Sequence, residues 1–313
     1  MVPNVRSVSF ASLDETCLSP SRTAAYMACA PHAVAIEVGR STIAVRFSRA
    51  SAAAAFAERF ADMLGHQAPD VVIYAVALDG AAYFWLSPDR VRRWPEDPSD
   101  ELLVFFADNV AMHEYLSTST DVGIHAAVIA KGSRLVALLG CSTAGKTTTA
   151  IAAVRNGFAL YSDERCILQD GRVVPFLRAI TVREGGRSAI LAAGPSGCAV
   201  DDRLRELPEQ GDSSIRPRLL LGDQAGGPPR PLSAIFFIEG RGATPSVQGC
   251  SLYAVLPALL QSMVSRYTGM ERAAHVLAEF HTAPLYRLRL GTPHATANAI
   301  ERTLDEANTF ADR

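Results

Sequence analysis

The sequence predicts an α/β protein in two parts, a small α+β domain over residues 1–98 and a larger α/β domain over residues 99–313. Three observations carry that prediction. Residues 134–157 run from an apolar strand through a glycine-bracketed loop into a helix, the alternation from which layered α/β domains are built. Residues 33–86 hold short apolar runs around one helical stretch, with the two-residue hairpin signal Asp79-Gly80 between two of them. With 49% hydrophobic residues in a chain of 313, there is apolar material for full cores, which excludes global disorder.

In chain order, residues 33–47 read as two short strands around Gly39. Residues 52–64 have helical spacing, with Phe56, Phe60, Met63 and Leu64 on one face and Ser51 as the cap. Strands follow at 71–78 and 81–86. The polar stretch 89–100, with Pro95 and Pro98, reads as the domain boundary. Ser99 caps a helix to about residue 116, in which His113 reads as a partly buried, hydrogen-bonded side chain. Strands at 124–129 and 134–139 precede the glycine-bracketed loop. Residues 191–232 are rich in Gly and Pro, with helical character only near 202–207, and read as either a disordered segment or a functional flap. Regular structure returns with a strand at 233–238, helices at 253–267 and 270–280, a strand at 285–290 and a last helix at 295–307; Pro257 shortens or kinks the first of these helices.

Charge and cysteine usage exclude several function classes. There are 30 basic side chains against 32 acidic ones, for a net charge of −2, so no general attraction to nucleic acid or to an anionic membrane is expected. No stretch approaches the ~18 apolar residues of a membrane span, and the first twenty residues lack a basic start followed by an apolar run, so a cytoplasmic protein is expected. Cys17, Cys29, Cys141, Cys166, Cys198 and Cys250 form no C-x-x-C pair, which favours reduced thiols over a disulfide framework or a zinc site.

Gly140-Cys141-Ser142-Thr143-Ala144-Gly145-Lys146-Thr147 satisfies G-x-x-x-x-G-K-[ST], after an apolar strand and before a helix that also contains Thr148. Phosphate oxygens need donors converging from one side, which the loop amides and the positive helix N-terminus provide. Lys146 is placed to reach the β and γ phosphates, and the Thr147 hydroxyl to ligate Mg²⁺. The helix ends at Asn156-Gly157. A short apolar strand then closes in Ser162-Asp163-Glu164. At the carboxyl edge of an open sheet that pair would stand beside the loop, one carboxylate holding the metal and the other accepting a proton from an attacking hydroxyl. His125, on the preceding strand, reads either as a strand residue with one hydrogen bond or as a group reaching the phosphates.

The run 124–168, with His125-Ala126, the loop 140–147, Asn156-Gly157-Phe158 and Asp163-Glu164 in that order, resembles the catalytic core of the HPr kinase/phosphorylase family. The resemblance implies a P-loop kinase core of the phosphoenolpyruvate-carboxykinase-like type and a serine kinase using ATP or GTP with Mg²⁺. It also implies a peptide or small-protein acceptor, and oligomers are common in the family. Departures are visible: Glu164 replaces an aspartate, Ala126 replaces a glycine, and residues 175–181 stand where the family carries Glu-x-Arg-Gly-x-Gly. The layout is similar to the HPr-kinase-related proteins found with lasso-peptide biosynthesis, which phosphorylate a serine of a precursor peptide.

The sequence thus points to phosphoryl transfer from a nucleoside triphosphate to a serine hydroxyl. Lys146, the loop amides and Mg²⁺ at Thr147 neutralise charge, and Asp163 or Glu164 deprotonates the hydroxyl. Arg216, Arg218 and Arg230, in the 191–232 flap, are candidate lid cations. The alternatives are a kinase of a free small molecule such as serine and a nucleotide-dependent switch without catalysis. A guanine-specific switch is disfavoured, because neither Lys131 nor Lys146 sits in Asn-Lys-x-Asp.

Overall fold

The computed structural model describes residues 13–87, 90–192, 199–208, 211–280 and 283–311, and the chain divides into two units, Met1–Ser119 and Thr120–Arg313. It is a mixed α/β protein with ten helices among the described residues, none of them long and apolar enough to cross a membrane.

The first unit contains β1 (Asp14–Thr16), α1 (Pro20–Ala28), β2 (His32–Val38), β3 (Ser41–Phe47), α2 (Ala50–Arg59), β4 (Val71–Leu78), β5 (Ala81–Ser87), β6 (Arg90–Trp94) and α3 (Asp100–Thr118). Its six strands form one sheet in the order β1-β6-β5-β4-β3-β2. The hairpin at Asp79-Gly80 forms as the sequence predicts, both residues having positive φ (54° and 72°) as a primed two-residue turn requires. Other expectations need correction. Arg49, not Ser51, precedes α2, and it makes no side-chain cap. The stretch read as a linker supplies the strand β6, whose Val91 is buried while Arg92 pairs with Glu15 at 2.8 Å. The boundary falls after Ser119 rather than at residue 98. The cause is α3: capped by Ser99 as predicted, it packs Phe106 against Phe84 (5.6 Å between ring centroids) and pairs Asp108 with Arg59 of α2 at 3.1 Å. His113 is half-buried on this helix.

The second unit contains β7 (Val122–Ile124), β8 (Ala126–Lys131), β9 (Arg134–Leu139), α4 (Lys146–Arg155), β10 (Ala159–Ser162), β11 (Cys166–Gln169), β12 (Arg172–Val174), β13 (Ile180–Val182) and α5 (Glu184–Ala192). It continues with α6 (Ala199–Glu206), β14 (Ser213–Ile215), α7 (Pro217–Leu221), β15 (Ala234–Arg241), β16 (Ser246–Cys250), α8 (Leu252–Ser262), β17 (Met263–Val264), α9 (Gly269–Phe280), β18 (Leu285–Leu290) and α10 (Pro293–Ala311). The main sheet has the order β10-β8-β9-β15-β18-β16 and is mixed: β9, β15 and β18 run parallel, and β8 is antiparallel to both β9 and β10. A smaller sheet, β12-β11-β7-β17, stands apart from it.

Apolar residues on the two faces of the main sheet feed separate cores. Val136, Leu138, Phe236, Ile238, Leu288 and Leu290 pack under α4 and α10, whereas Leu135, Ala137, Leu139 and Ile235 face Val255 and Leu259 of α8. This is the period-2 pattern of strands covered on both sides, and burial of each large side chain contributes about 1.5–3 kcal/mol.

Two expectations about this unit change. The helix predicted at 253–267 stops at Ser262, accommodates Pro257, and gives way to β17. The segment 191–232 is not a structureless flap in its described part, since it holds α6, β14 and α7; residues 193–198 and 209–210 lie outside the described residues. It is bound to the sheet: Gly226 N–H donates to the Leu160 carbonyl at 2.7 Å, and the Tyr161 hydroxyl donates to the Pro228 carbonyl at 3.1 Å.

Candidate functional site

The loop between β9 and α4 has the backbone its sequence demands. Gly145 precedes the helix with φ +105°, and a Cβ there would stand 2.9 Å from Leu290 Cδ1, so glycine is needed on both counts. Thr143 has φ +68°, a conformation that costs a β-branched residue about 1–3 kcal/mol and that concentrates at functional sites. The first helical hydrogen bond runs from Thr149 N–H to the Gly145 carbonyl at 2.9 Å. The amides at 146–148 therefore carry the unpaired donors of the helix start. Lys146 is buried, its Nζ donating to the carbonyls of Gly140 at 2.8 Å and Cys141 at 3.0 Å. Two of its three donors are thus engaged, and one remains for a ligand.

Sheet topology brings the other predicted residues to this loop. Because β8 is antiparallel to β9 and β10, its first residue lies at the edge where those two strands end: Ala126 pairs with Leu139, and Val128 with Ser162. His125 is not inside a strand as the continuous run 124–129 suggests. It occupies the break at which the chain leaves the small sheet, where Ile124 pairs with Cys166, and enters the main one. The chain makes the same crossing in reverse between β10 and β11, and Asp163 and Glu164 occupy that second break. The backbone ties the two breaks together, Ala126 N–H donating to the Glu164 carbonyl at 3.2 Å.

A cavity of about 240 Å³ is the result. His125, Ser142, Thr143, Gly145, Lys146, Thr147, Thr148, Asp163 and Glu164 line it, so nine of the sequence-predicted positions converge; Gly140, Cys141 and Ala144 complete the loop behind them. The two carboxylates differ. Asp163 Oδ1 is buried without a hydrogen-bond partner among the described residues, and burial pushes its pKa up, against the opposing effects of a Thr147 hydrogen bond and of Arg178 and Lys146. Glu164 is partly exposed and held by the buried Arg178 in an ion pair. Burial pulls the Lys146 pKa down, with Asp163 pulling it back up. Burial also drives His125 down to about 4, aided by Lys146, Arg165 and Arg178, which leaves a neutral imidazole at neutral pH.

The predicted lid cations are elsewhere. Arg230 donates to the Gly132 carbonyl, in the turn at the opposite edge of the sheet, and neither Arg216 nor Arg218 lines the cavity. The cations that do line it are Arg178, Arg183 and Arg241, with Gly185 and Gly186 at the start of α5. Sequence reading missed these because their positions depend on strand ends far apart in the chain. One signal was present: Arg241 follows an apolar strand of the kind that neighbours a loop strand in a parallel sheet.

Among the described residues no cluster of three or more His, Cys, Asp or Glu side chains forms a metal cage. The residues do fit a magnesium–nucleotide complex, which needs only one or two protein oxygens besides phosphate and water: the Thr147 hydroxyl lines the cavity and is oriented by a hydrogen bond with Asp163. No protein-family model matches the chain, and the search of curated protein sequences found no match.

Proposed function

We propose that the chain is an ATP-dependent kinase transferring the γ-phosphoryl group to a serine hydroxyl of a peptide or small protein. The observation that carries this reading is one cavity combining a glycine-bracketed phosphate loop, its buried lysine and a carboxylate with one oxygen buried and unpaired. A site built only to hold phosphate has no use for that carboxylate, whose desolvation is costly. A hydroxyl acceptor does, because its proton must go to a base whose pKa has been raised toward neutrality.

Each residue then has a role. The loop amides and Lys146 hold the phosphates, Asp163 takes the proton from the serine hydroxyl, and Arg178 fixes Glu164 so that the two carboxylates are not equivalent. His125 is neutral and offers a hydrogen bond rather than a charge. Thr147, with phosphate oxygens and water, would hold Mg²⁺, which when bound would neutralise charge on the transferring group. The mixed sheet, with an antiparallel strand beside the loop strand, supports a core of the phosphoenolpyruvate-carboxykinase-like type over an all-parallel one. The serine acceptor rests on the resemblance of residues 124–168 to the HPr kinase/phosphorylase family.

The test is incubation with γ-labelled ATP and Mg²⁺, alone, with free serine, and with serine-bearing peptides. Label on a peptide is expected. Label on free serine alone would make this a small-molecule kinase, and nucleotide binding with no transfer to any acceptor would make it a switch.

A further inference from the structure

Strand β15 lies between β9 and β18, parallel to both. In its first half the side chains alternate regularly, Ala234, Phe236 and Ile238 facing the core under α4 and Ile235 the opposite core. Strict continuation would send residue 241 away from α4. The register against β18 slips between Ile238 and Gly240, however: Ile238 pairs with Leu288, and Arg241 with Leu290. One extra residue on β15 reverses the parity, as a bulge does when it re-aims a side chain. Leu290 belongs to the α4-side core, so Arg241 arrives on the face that carries the phosphate loop. Its Nη2 lies 3.0 Å from the point where a Cβ on Gly145 would stand, and the side chain lines the cavity. Among the described residues no hydrogen bond or ion pair holds this guanidinium. By contrast Lys146 is held by loop carbonyls and Arg178 by Glu164.

We infer that Arg241 is a further catalytic residue, its guanidinium contacting the transferring phosphoryl group; the inference rests on the kinase reading above. In that transfer the bond from the γ-phosphorus to the bridging oxygen breaks, with its electron pair leaving on the nucleoside diphosphate. A bond forms to the serine oxygen, and the serine proton passes to Asp163. Negative charge spreads over the phosphoryl oxygens meanwhile. A planar guanidinium spans two such oxygens, which an ammonium does not. Because it stands on a sheet strand and not on a lid, Arg241 is in position before nucleotide arrives.

The test titrates fluorescent (mant-labelled) ATP and ADP, with Mg²⁺ and the serine-bearing peptides, into the parental protein, Arg241→Ala and Arg241→Lys, and measures ATP turnover in the same samples. Arg241→Ala should keep its affinity for the diphosphate within about twofold, lose the preference for triphosphate, and turn over about 100-fold more slowly. Arg241→Lys should recover part of the rate only. An alanine variant with parental triphosphate preference and parental turnover overturns the assignment. A parental protein that binds both nucleotides but never turns over ATP ends the kinase reading, and the comparison of triphosphate with diphosphate affinity then still decides whether Arg241 contacts the γ-phosphate. A parental protein that binds neither overturns both.

Discussion

At the scale of single residues, the site separates groups that look alike in the sequence. Asp163 and Glu164 are adjacent carboxylates, yet one has a buried, unpaired oxygen and the other is paired with Arg178. Nothing in the sequence distinguishes them, because Arg178 reaches Glu164 only after two further strands have folded. His125 differs from its neighbours for a similar reason: a sheet break, invisible in an apolar run, puts the imidazole beside Lys146, Arg165 and Arg178. Its folded pKa of about 4 lies below the ordinary value of 6.5, so the unfolded chain binds the extra proton between those pH values. Stability supplied by neutral His125 is therefore complete above about pH 6.5 and is lost as pH falls toward 4. Urea unfolding at pH 7 and pH 5 should show the parental protein losing about 1 kcal/mol more than His125→Gln, the linkage value reduced for partial exposure. Equal losses would show that His125 does not carry the shift.

At the scale of elements, the strand–loop–helix unit was legible because all its determinants are local: an apolar strand, two glycines at fixed spacing, and a helix closed by Asn156-Gly157. The short strands β11 to β14 and β16 were not legible, since three to five residues carry too little period-2 signal and pair only with distant partners. The bulge that turns Arg241 was hidden for the same reason. The helices beside the site are fixed by an interaction equally remote in sequence. Arg155, at the end of α4, is buried and grips buried Asp201 of α6 through Nε and Nη2, each at 2.8 Å, while Nη1 donates to the Ile190 carbonyl of α5. Arg155→Met leaves Asp201 buried without its cation and should cost about 3–5 kcal/mol in chemical unfolding. The double variant Arg155→Met, Asp201→Leu should regain most of that loss. A single variant of parental stability would mean that the pair adds nothing.

At the scale of the whole molecule, the two-part division was legible and its position was not. Proline and charge at 89–100 mark a break in composition, but α3 packs on strands β4 and β5 of the first unit's sheet, and the boundary moves to residue 119. Every residue lining the cavity belongs to the second unit, which has apolar cores of its own on both faces of its sheet. A fragment of residues 120–313 should therefore bind mant-ATP with an affinity within about tenfold of the full chain; a folded fragment that binds no nucleotide would show that the first unit completes the site. Chemistry itself is tested most directly by single-turnover transfer from γ-labelled ATP to a serine peptide, comparing the parental protein with Asp163→Asn alongside their mant-ATP affinities. The parental protein should transfer phosphate, and Asp163→Asn should lose at least about 100-fold in transfer while its nucleotide affinity stays nearly unchanged. Transfer by Asp163→Asn at the parental rate would contradict the assignment of Asp163 as the base.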